Sequence, residues 1–299
     1  MEGFPTSLTP LEGGHSGETF LAEAAGEQTV VRIYGRRSTG RGPLAPEIDA
    51  AVLRLVRGLL PVPRVLEVRR ADPAAGTPGL LVTSRLHGQR LDALLPRLDG
   101  RALVRLGAAL GTLLGRLGHI ALPRPGLFGD RELTLAAFPD ELADLPAFVQ
   151  ARAPALGWAE RDLERLREVA EKAQSLLDET DRWCLVHGDL NPKNLLVDPG
   201  TLQVSGLLDW EYAHSGSPYA DLGNLLRFDR TPSLADAVLR AYADFMPTVP
   251  DDLVDRARAA DLVALVDLAA RKDENPVAAR AHGQLLAVAR TGDLHAVAG

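Results

Sequence analysis

The period of the hydrophobic pattern changes along the chain. Up to about residue 86, short alternating stretches such as residues 29–34 are separated by turns rich in glycine and proline, a pattern typical of β-strands. One helical stretch, residues 46–57, interrupts them, with acidic residues in its first turn. Beyond the strands the apolar positions recur at helical spacing, and the predicted helices cover residues 99–120, 159–179, 233–245, 251–271 and 276–290. The pattern therefore predicts an α+β protein whose strands are gathered near the N-terminus.

Three segments add detail to this division. Residues 64–70 and 80–85 form a predicted hairpin that turns at the segment 72–79, which is rich in proline. Residues 121–138 are also rich in proline and glycine, and we expect them to form a loop. A second hairpin is predicted within residues 185–208, where two short apolar strands flank an Asp-Pro-Gly turn. The chain should therefore return to β-structure within its helical part.

Composition restricts the class of protein. The chain has 299 residues, is 46% hydrophobic and has a net charge of −7, and no apolar run approaches the ~20 residues that a membrane helix requires. The N-terminus lacks the basic start and apolar core of an export signal, and the single cysteine, Cys184, excludes an internal disulfide. We therefore expect a cytoplasmic protein with no membrane partner. The acidic net charge argues against a nucleic-acid partner and is compatible with a small cationic ligand.

Candidate chemistry is concentrated in residues 185–208, LVHGDLNPKNLLVDPGTLQVSGLL, and in the Asp-Trp-Glu that follows. The predicted hairpin places Asp189, Asn194 and Asp209 at one end of a small sheet. The amide oxygen of Asn194 and the carboxylate of Asp209 are hard ligands suited to Mg²⁺, whereas Asp189 is a separate carboxylate that can receive the proton of an acceptor hydroxyl. The combination predicts phosphoryl transfer, with all three residues acting in catalysis and with Asn194 and Asp209 as metal ligands.

The spacing of these residues resembles two groups of kinases. His-x-Asp-x4-Asn, followed about fifteen residues later by Asp209, resembles the catalytic loop and metal-binding Asp of protein kinases. More closely, HGDLNPKNLL followed by LLDWE resembles the aminoglycoside phosphotransferase family of antibiotic kinases. The resemblance implies a protein-kinase-like bilobal fold, with a small antiparallel-sheet lobe that contains one helix and a larger, mostly helical lobe. It also implies an ATP-dependent small-molecule O-phosphotransferase that uses ATP or GTP together with Mg²⁺.

The same resemblance places the lobe boundary and the nucleotide site. Residues 80–88 resemble the family's hinge, which divides the chain into a nucleotide-binding lobe, residues 1–86, and a catalytic and substrate-binding lobe, residues 87–299. The nucleobase would hydrogen-bond to the backbone near Ser84 and Leu86, and a glycine-rich turn would cover the phosphates. The residues of that turn are Gly14, His15, Ser16 and Gly17.

Arg32 stands where kinases have a lysine that pairs with the nucleotide phosphates and with an acid on the following helix. Arginine keeps the charge and adds a fork of donors, but the two side chains are not interchangeable. Asp49 best matches the acid on the helix, and Glu47 is the alternative. The resemblance therefore assigns Arg32 and Asp49 to nucleotide binding.

Acceptor binding is assigned to acidic residues. Glu211 follows the proposed metal ligand and should lie near the mouth of the site, where it can bind an ammonium group. The family gathers further acids on its helical C-terminal part, here Asp267, Asp273 and Glu274. Within the family, the sequence looks like the kinases that inactivate the tuberactinomycin peptides viomycin and capreomycin. The predicted partners are therefore a nucleoside triphosphate and a small cationic antibiotic.

Other functions stay open at this point. An aminoglycoside or macrolide kinase would share these motifs, and so would a metabolic small-molecule kinase with a choline-like substrate. A non-catalytic nucleotide-binding relative would be compatible with arginine at position 32. Against this last alternative, the three predicted catalytic residues are all present, whereas a degenerate kinase usually lacks at least one.

Overall fold

The computed structural model describes residues 7–11, 18–24, 26–35, 41–228, 230–246 and 248–298. Its N-terminal part contains an antiparallel sheet with the strand order β1-β2-β3-β5-β4. These strands are β1 (Ser7–Pro10), β2 (Glu18–Ala24), β3 (Glu27–Tyr34), β4 (Val65–Arg69) and β5 (Gly79–Ser84). The predicted hairpin of residues 64–70 and 80–85 is thus confirmed as the β4–β5 pair.

One helix packs on this sheet, as predicted for residues 46–57. Helix α1 (Ala45–Val56) has a proline in its first turn. Backbone N–H groups in the first turn have no acceptor within the helix, so the N–H group that proline lacks costs no helical hydrogen bond. Its buried face carries Ile48, Val52 and Val56, and it contacts β4 and β5. Burial of this apolar face is what fixes the helix on the sheet.

The rest of the described chain is mostly helical. Each of the five helices predicted after residue 98 is present, with bounds within two residues of the prediction. The helices are α2 (Leu91–Leu94), α3 (Gly100–Gly118), α4 (Asp140–Ala143), α5 (Leu145–Leu156), α6 (Glu160–Asp178), α7 (Ala220–Leu225), α8 (Pro232–Phe245), α9 (Leu253–Ala270) and α10 (Pro276–Thr291). Within the described ranges, none of them combines the length and the apolar character needed to cross a bilayer.

The segment predicted as a loop, residues 121–138, instead contains strands. Its short strands join two others in a sheet with the order β7-β10-β13-β8-β9. The members are β7 (Ala121–Leu122), β8 (Gly126–Phe128), β9 (Leu135–Ala136), β10 (Trp183–Val186) and β13 (His214–Gly216). The loop prediction is wrong because strands of two or three residues are too short to show alternation.

The second predicted hairpin lies between the two parts of the chain. Strands β11 (Leu195–Val197) and β12 (Val204–Leu207) form it, and β6 (Gln89–Arg90) pairs with β11. The N–H group of Leu207 donates to the carbonyl of Pro61 at 2.8 Å, and one hydrophobic core includes both Val52 of α1 and Leu195 of the hairpin. The hairpin is therefore joined to the N-terminal part by backbone hydrogen bonding and by the core.

Helices α3 and α8 approach closely because glycines line their contact. Gly107, Gly111 and Gly115 are spaced one helical turn apart along α3. A Cβ atom at position 111 would lie 2.3 Å from the carbonyl oxygen of Val238, and one at position 115 would lie 2.4 Å from Cβ of Phe245. Such distances leave no room for a methyl group, so this helix pair depends on glycine.

We expect Gly111→Ala to lower the free energy of unfolding by about 1–3 kcal/mol, because the new methyl group must push α8 away. Urea unfolding followed by circular dichroism measures this change. Gly100→Ala, at the start of the same helix, is the matched control, since a Cβ atom there meets nothing within 4 Å. Equal stability of the two variants would contradict the packing argument.

Candidate active site

Residues 187–194, here called the HGD loop, follow β10 and are fixed by a buried carboxylate. Asp221, in the first turn of α7, accepts hydrogen bonds from the N–H groups of His187 at 2.7 Å and Gly188 at 2.9 Å. Burial raises the pKa of Asp221 to about 7, and the two N–H donors oppose this rise. Gly188 has a φ of 81°, and a Cβ atom there would lie 2.5 Å from the carbonyl oxygen of Tyr212. The loop is therefore held on two sides, and only glycine fits at position 188.

His187 is a neutral residue that ties the HGD loop to the end of the hairpin. Its Nδ1 accepts a hydrogen bond from the N–H group of Asp189 at 3.2 Å, and its Nε2 lies 2.9 Å from the carbonyl oxygen of Leu208. Burial lowers the pKa of His187 to about 4, against the opposing effect of the Leu208 carbonyl. The ring is thus uncharged at neutral pH, and Nε2 carries the proton that it donates to Leu208. The edge-on ring of Trp210, with centroids 4.7 Å apart, completes its surroundings.

Asp189 is oriented by two side-chain amides. Nδ2 of Asn191 donates to its Oδ1 at 2.7 Å, and Nδ2 of Asn194 donates to its Oδ2 at 2.8 Å. Burial raises the pKa of Asp189 to about 6; the hydrogen bond from Asn191 lowers it, the negative charge of Asp209 raises it further, and Arg227 and Asn194 oppose the rise. The result is a fixed carboxylate that is more basic than an exposed aspartate.

Asp209 follows the hairpin in an uncommon backbone conformation. Its φ of 63° lies in the left-handed region, which aspartate tolerates better than most residues. Just before it, the N–H group of Leu208 donates to the carbonyl of Asn194 at 2.8 Å, so the two arms of the hairpin close on each other. The structure thus brings Asp189, Asn194 and Asp209 to the same end of the hairpin.

The oxygen atoms offered here fit a hard divalent cation. Because Nδ2 of Asn194 faces Asp189, the amide oxygen Oδ1 lies on the other side of the amide group. This oxygen and the carboxylate of Asp209 are both hard ligands, and Mg²⁺ is commonly bound by one or two side chains together with phosphate oxygens. Nowhere in the described ranges do three His, Cys, Asp or Glu residues converge as a metal cage. Two side-chain oxygens suit a metal ion whose remaining ligands include phosphate oxygens.

Arg32 reaches this end of the hairpin from β3. Its Nη1 donates to Oδ1 of Asp209 at 2.6 Å, and its Nη2 donates to Oε2 of Glu211 at 2.6 Å. The side chain of Glu211 is only 5% exposed, so it does not lie open at the mouth of the site as expected from the sequence. Burial opposes the charge of Arg32, but Asp209, Tyr34 and Glu211 keep its pKa above the ordinary value.

The acids of α1 have other partners. Asp49 accepts hydrogen bonds from the hydroxyl of Tyr34 at 2.6 Å and from both terminal nitrogens of Arg41 at 2.5 and 2.9 Å. Glu47 accepts from Arg70 at 2.7 and 3.2 Å. The predicted ion pair between Arg32 and an acid of α1 is therefore not among the described contacts. Arg32 pairs instead with the carboxylates of Asp209 and Glu211.

Ser84 and Leu86, the two residues of the predicted hinge, differ in the hydrogen bonds of their backbone groups. The N–H group of Ser84 donates to the carbonyl of Arg64 at 2.8 Å, so the end of β5 is used within the sheet. Leu86 lies between β5 and β6, and its backbone makes no hydrogen bond to any other described residue. Of the two, Leu86 has the backbone groups that are free to meet a ligand. The glycine-rich turn, with Gly14, His15, Ser16 and Gly17, lies outside the described residues.

The acids predicted to bind an acceptor lie at the C-terminal end of α9 and just after it. Asp267 accepts a hydrogen bond from Arg271 at 2.7 Å, and Glu274 lies 3.7 Å from the same guanidinium. Asp273 is exposed between them in the turn. Arginine thus offsets part of the negative charge of this surface.

Two residues near the site, Tyr212 and Arg227, were not predicted from the sequence. Tyr212, two positions after Trp210, is 56% exposed; burial and Glu211 raise its pKa, and the charge of Arg271 opposes this rise. Arg227 is buried and donates to both oxygens of Asp261 at 2.7 and 2.5 Å. The sequence signal for Tyr212 was an aromatic residue just after the Asp-Trp-Glu motif. The signal for Arg227 was an arginine directly after an apolar run.

Comparisons with known proteins find one matching family model and related sequences. The model of the APH family, described as the phosphotransferase enzyme family, matches residues 7–259. Aminoglycoside 3'-phosphotransferase from Streptomyces fradiae is 30% identical over 248 residues, which cover 77% of this chain and 84% of that protein. Acyl-CoA dehydrogenase family member 10 from Mus musculus is 26% identical over 247 residues, 80% of this chain. The chain spans only 22% of the length of that mouse protein.

Solved structures show the same fold. The ternary complex of a thermostable mutant of aminoglycoside phosphotransferase APH(4)-Ia with ADP and hygromycin B has a TM-score of 0.68 and 18% identity, and the similarity covers 96% of this chain and 94% of that one. The GDP complex of aminoglycoside 2'-phosphotransferase-IIIa has a TM-score of 0.66 and 16% identity, with 97% and 94% covered. The predicted α+β, kinase-like fold is confirmed.

The family match covers far more than half of the chain, and its range includes the HGD loop and the hairpin. The predicted enzyme class, a phosphotransferase, is thereby confirmed. The chain belongs to the APH phosphotransferase enzyme family.

Proposed function

We propose that this protein transfers the γ-phosphoryl group of a nucleoside triphosphate to a hydroxyl group of a cationic antibiotic and so inactivates it. The observation that carries the proposal is the pairing of Asp189 with the amide of Asn194. Nδ2 of Asn194 holds the carboxylate, and in this proposal the amide oxygen of the same side chain would bind the metal together with Asp209. Asn194 would thus lie between the proton-accepting carboxylate of Asp189 and the metal.

In this proposal Asp189 orients the acceptor hydroxyl and accepts its proton. Its two amide partners restrict its rotation, and its pKa of about 6 makes it a better proton acceptor near neutral pH than an ordinary aspartate. Asn194 and Asp209 would hold Mg²⁺. When bound, the metal neutralises charge on the phosphate oxygens. The protein contributes mainly by positioning and by charge, since the transition state of phosphoryl transfer is loose.

The nucleotide would lie between the N-terminal sheet and the hairpin. The backbone of Leu86 would meet the base, Arg32 the phosphates, and the turn with Gly14, His15, Ser16 and Gly17 would cover the phosphate tail. This assignment makes residues 1–86 the nucleotide-binding lobe and residues 87–299 the catalytic lobe. ADP and GDP occur in complexes of the structural neighbours, so both ATP and GTP are candidates. A reaction that consumes such nucleotides suits the cytoplasm.

The acceptor would lie over the exposed ring of Tyr212 and the acidic surface at the end of α9. Asp267, Asp273 and Glu274 supply negative charge there, and an aromatic face attracts cations. Two classes of cationic drug fit this surface. The sequence favours a tuberactinomycin peptide, and the names of the Streptomyces fradiae relative and of the structural neighbours favour an aminoglycoside.

A metabolic substrate is the second candidate. The mouse relative is not named for any antibiotic, and its matching segment is a small part of a longer protein. A metabolic kinase of the same fold, acting on a choline-like amino alcohol, would use the same catalytic residues. The choice between the two candidates depends on the acceptor alone.

We expect acceptor-dependent release of nucleoside diphosphate when purified protein, Mg²⁺ and ATP or GTP meet a cationic antibiotic. The panel should contain viomycin, capreomycin, several aminoglycosides, a macrolide and choline. Protein lacking the proposed metal ligand, Asp209→Asn, is the control for contaminating phosphatase. Release with choline alone would replace the antibiotic by the metabolic candidate, and nucleotide binding without any turnover would contradict the proposed catalysis.

Asp189→Asn should lower kcat by about 10²–10⁴-fold, because the amide cannot accept the proton of the acceptor. Nucleotide affinity should stay within about twofold, since this side chain faces the acceptor. Both quantities can be measured by steady-state kinetics and by titration calorimetry. Asp236→Asn, an exposed residue of α8, is the matched control. Retained turnover in the Asp189 variant would remove the proposed base.

The same variant should show a pH-dependent gain in stability without metal. The pKa of Asp189 is raised from 3.8 to about 6, so the protonated form favours folding and this contribution is lost as the pH rises from about 4 through 6. An asparagine side chain does not ionise, so the free energy of unfolding of the variant should rise relative to that of the wild type across this pH window. The rise should be at most about 3 kcal/mol, and the loss of one hydrogen bond by the variant reduces it. Urea unfolding at pH values of about 4.5 and 7.5 tests this. The same stability difference at both pH values would contradict the buried carboxylate.

A further inference from the structure

The contact between Arg32 and the two carboxylates after the hairpin is close and largely buried. Each terminal nitrogen of the guanidinium takes a different partner, Oδ1 of Asp209 and Oε2 of Glu211, both at 2.6 Å. The Arg32 and Glu211 side chains are 16% and 5% exposed, and that of Asp209 is 27% exposed. Charge-assisted hydrogen bonds of this length in a partly buried site are strong. The protein thus neutralises these acids with its own cation.

The two partners differ in how easily they can be exchanged. Glu211 is nearly inaccessible and follows Trp210, which is buried and donates from Nε1 to the carbonyl of Leu207 at 3.1 Å. Asp209 is the more exposed acid and is also a ligand in the proposed metal site. A ligand that arrives from solvent therefore meets Asp209 first.

Arg32 and a divalent metal would compete for Asp209. Nη1 of Arg32 already bonds to Oδ1 of this carboxylate, and two cations within a few ångströms repel each other in a partly buried site. The acids of α1 offer no alternative anchor in the described contacts, since Asp49 is bound by Tyr34 and Arg41. A triphosphate is the group that can take over the fork of donors, because phosphate oxygens accept the same bidentate pattern.

We propose that Arg32 is an exchangeable counterion that keeps divalent metal off Asp209 until nucleotide phosphates draw the guanidinium away. Glu211 is then a positioning residue, which holds Arg32 in the site before the exchange. This inference rests on the proposed function, which makes Asp209 a metal ligand. It adds that metal and nucleotide bind with positive coupling, because each removes an obstacle to the other.

The proposal makes two predictions of opposite sign for Arg32→Gln. Without nucleotide, the variant should bind Mn²⁺ at least about tenfold more tightly than the wild type, because the competing cation is gone. With a non-hydrolysable ATP analogue present, it should bind the metal–nucleotide complex at least about tenfold more weakly, because the phosphates lose a cationic partner. A purely structural role for Arg32 would weaken both.

Mn²⁺ binding followed by electron paramagnetic resonance, with the intact chain and with no acceptor, tests both predictions. Arg70→Gln is the matched control, since it removes the same charge from another Arg–Glu pair of the N-terminal part, the one with Glu47. Its Mn²⁺ affinity should equal that of the wild type. The double variant Arg32→Gln/Asp209→Asn should lose the gain, which locates the bound metal.

Equal Mn²⁺ affinity of wild type and Arg32→Gln without nucleotide would overturn the proposal, as would a gain that survives Asp209→Asn. If the glutamine variant does not fold, Arg32→Met replaces it, since it also removes the charge and keeps an unbranched side chain, and an unchanged Mn²⁺ affinity would overturn the proposal equally. A wild type that binds no metal–nucleotide complex at all would refute the proposed function itself. The two failures are therefore distinguishable.

Discussion

The hydrogen bonds from the HGD loop to Asp221 are the contacts on which the rest of the site depends. They fix the backbone of His187 and Gly188 on α7, and the ring of His187 then reaches the carbonyl of Leu208 at the end of the hairpin. Asp189 and Asp209 lie at the two ends of this chain of contacts. A single fully buried carboxylate, which no substrate needs to touch, thus sets the separation of the two acids that the proposed chemistry uses.

The site also has to keep several like charges close together. Asp189, Asp209 and Glu211 follow one another around the end of the hairpin, and the negative charge of Asp209 adds to the raised pKa of Asp189. Arginines offset this: Arg32 pairs with Asp209 and Glu211, and Arg227 acts on Asp189 from its own ion pair with Asp261. The two arginines come from opposite sides, one from the N-terminal sheet and one from the helical part.

Most of the fold could be predicted from the sequence because its long helices and the strands of the first sheet carry clear periodicity. The strands of residues 121–138 could not, since a strand of two residues has no period. In the site, the positions of Asp189, Asn194 and Asp209 follow from the order strand, loop, strand, which is a local property of the chain. The partner of Arg32 could not be predicted, because residues 32 and 211 meet only through the packing of distant segments. The same holds for Arg227, whose influence on Asp189 depends on the path of α7.

The contact between Gly188 and the carbonyl oxygen of Tyr212 has a consequence for how such a protein can change its substrate. The backbone that carries the exposed tyrosine ring presses directly on the HGD loop, so an insertion or deletion after Glu211 would displace Asp189. The ring itself faces solvent and can be replaced without disturbing that contact. If the ring contacts the acceptor as proposed, exchange of this side chain would alter what is bound while the reacting groups stay in place, whereas a change in loop length would displace them as well.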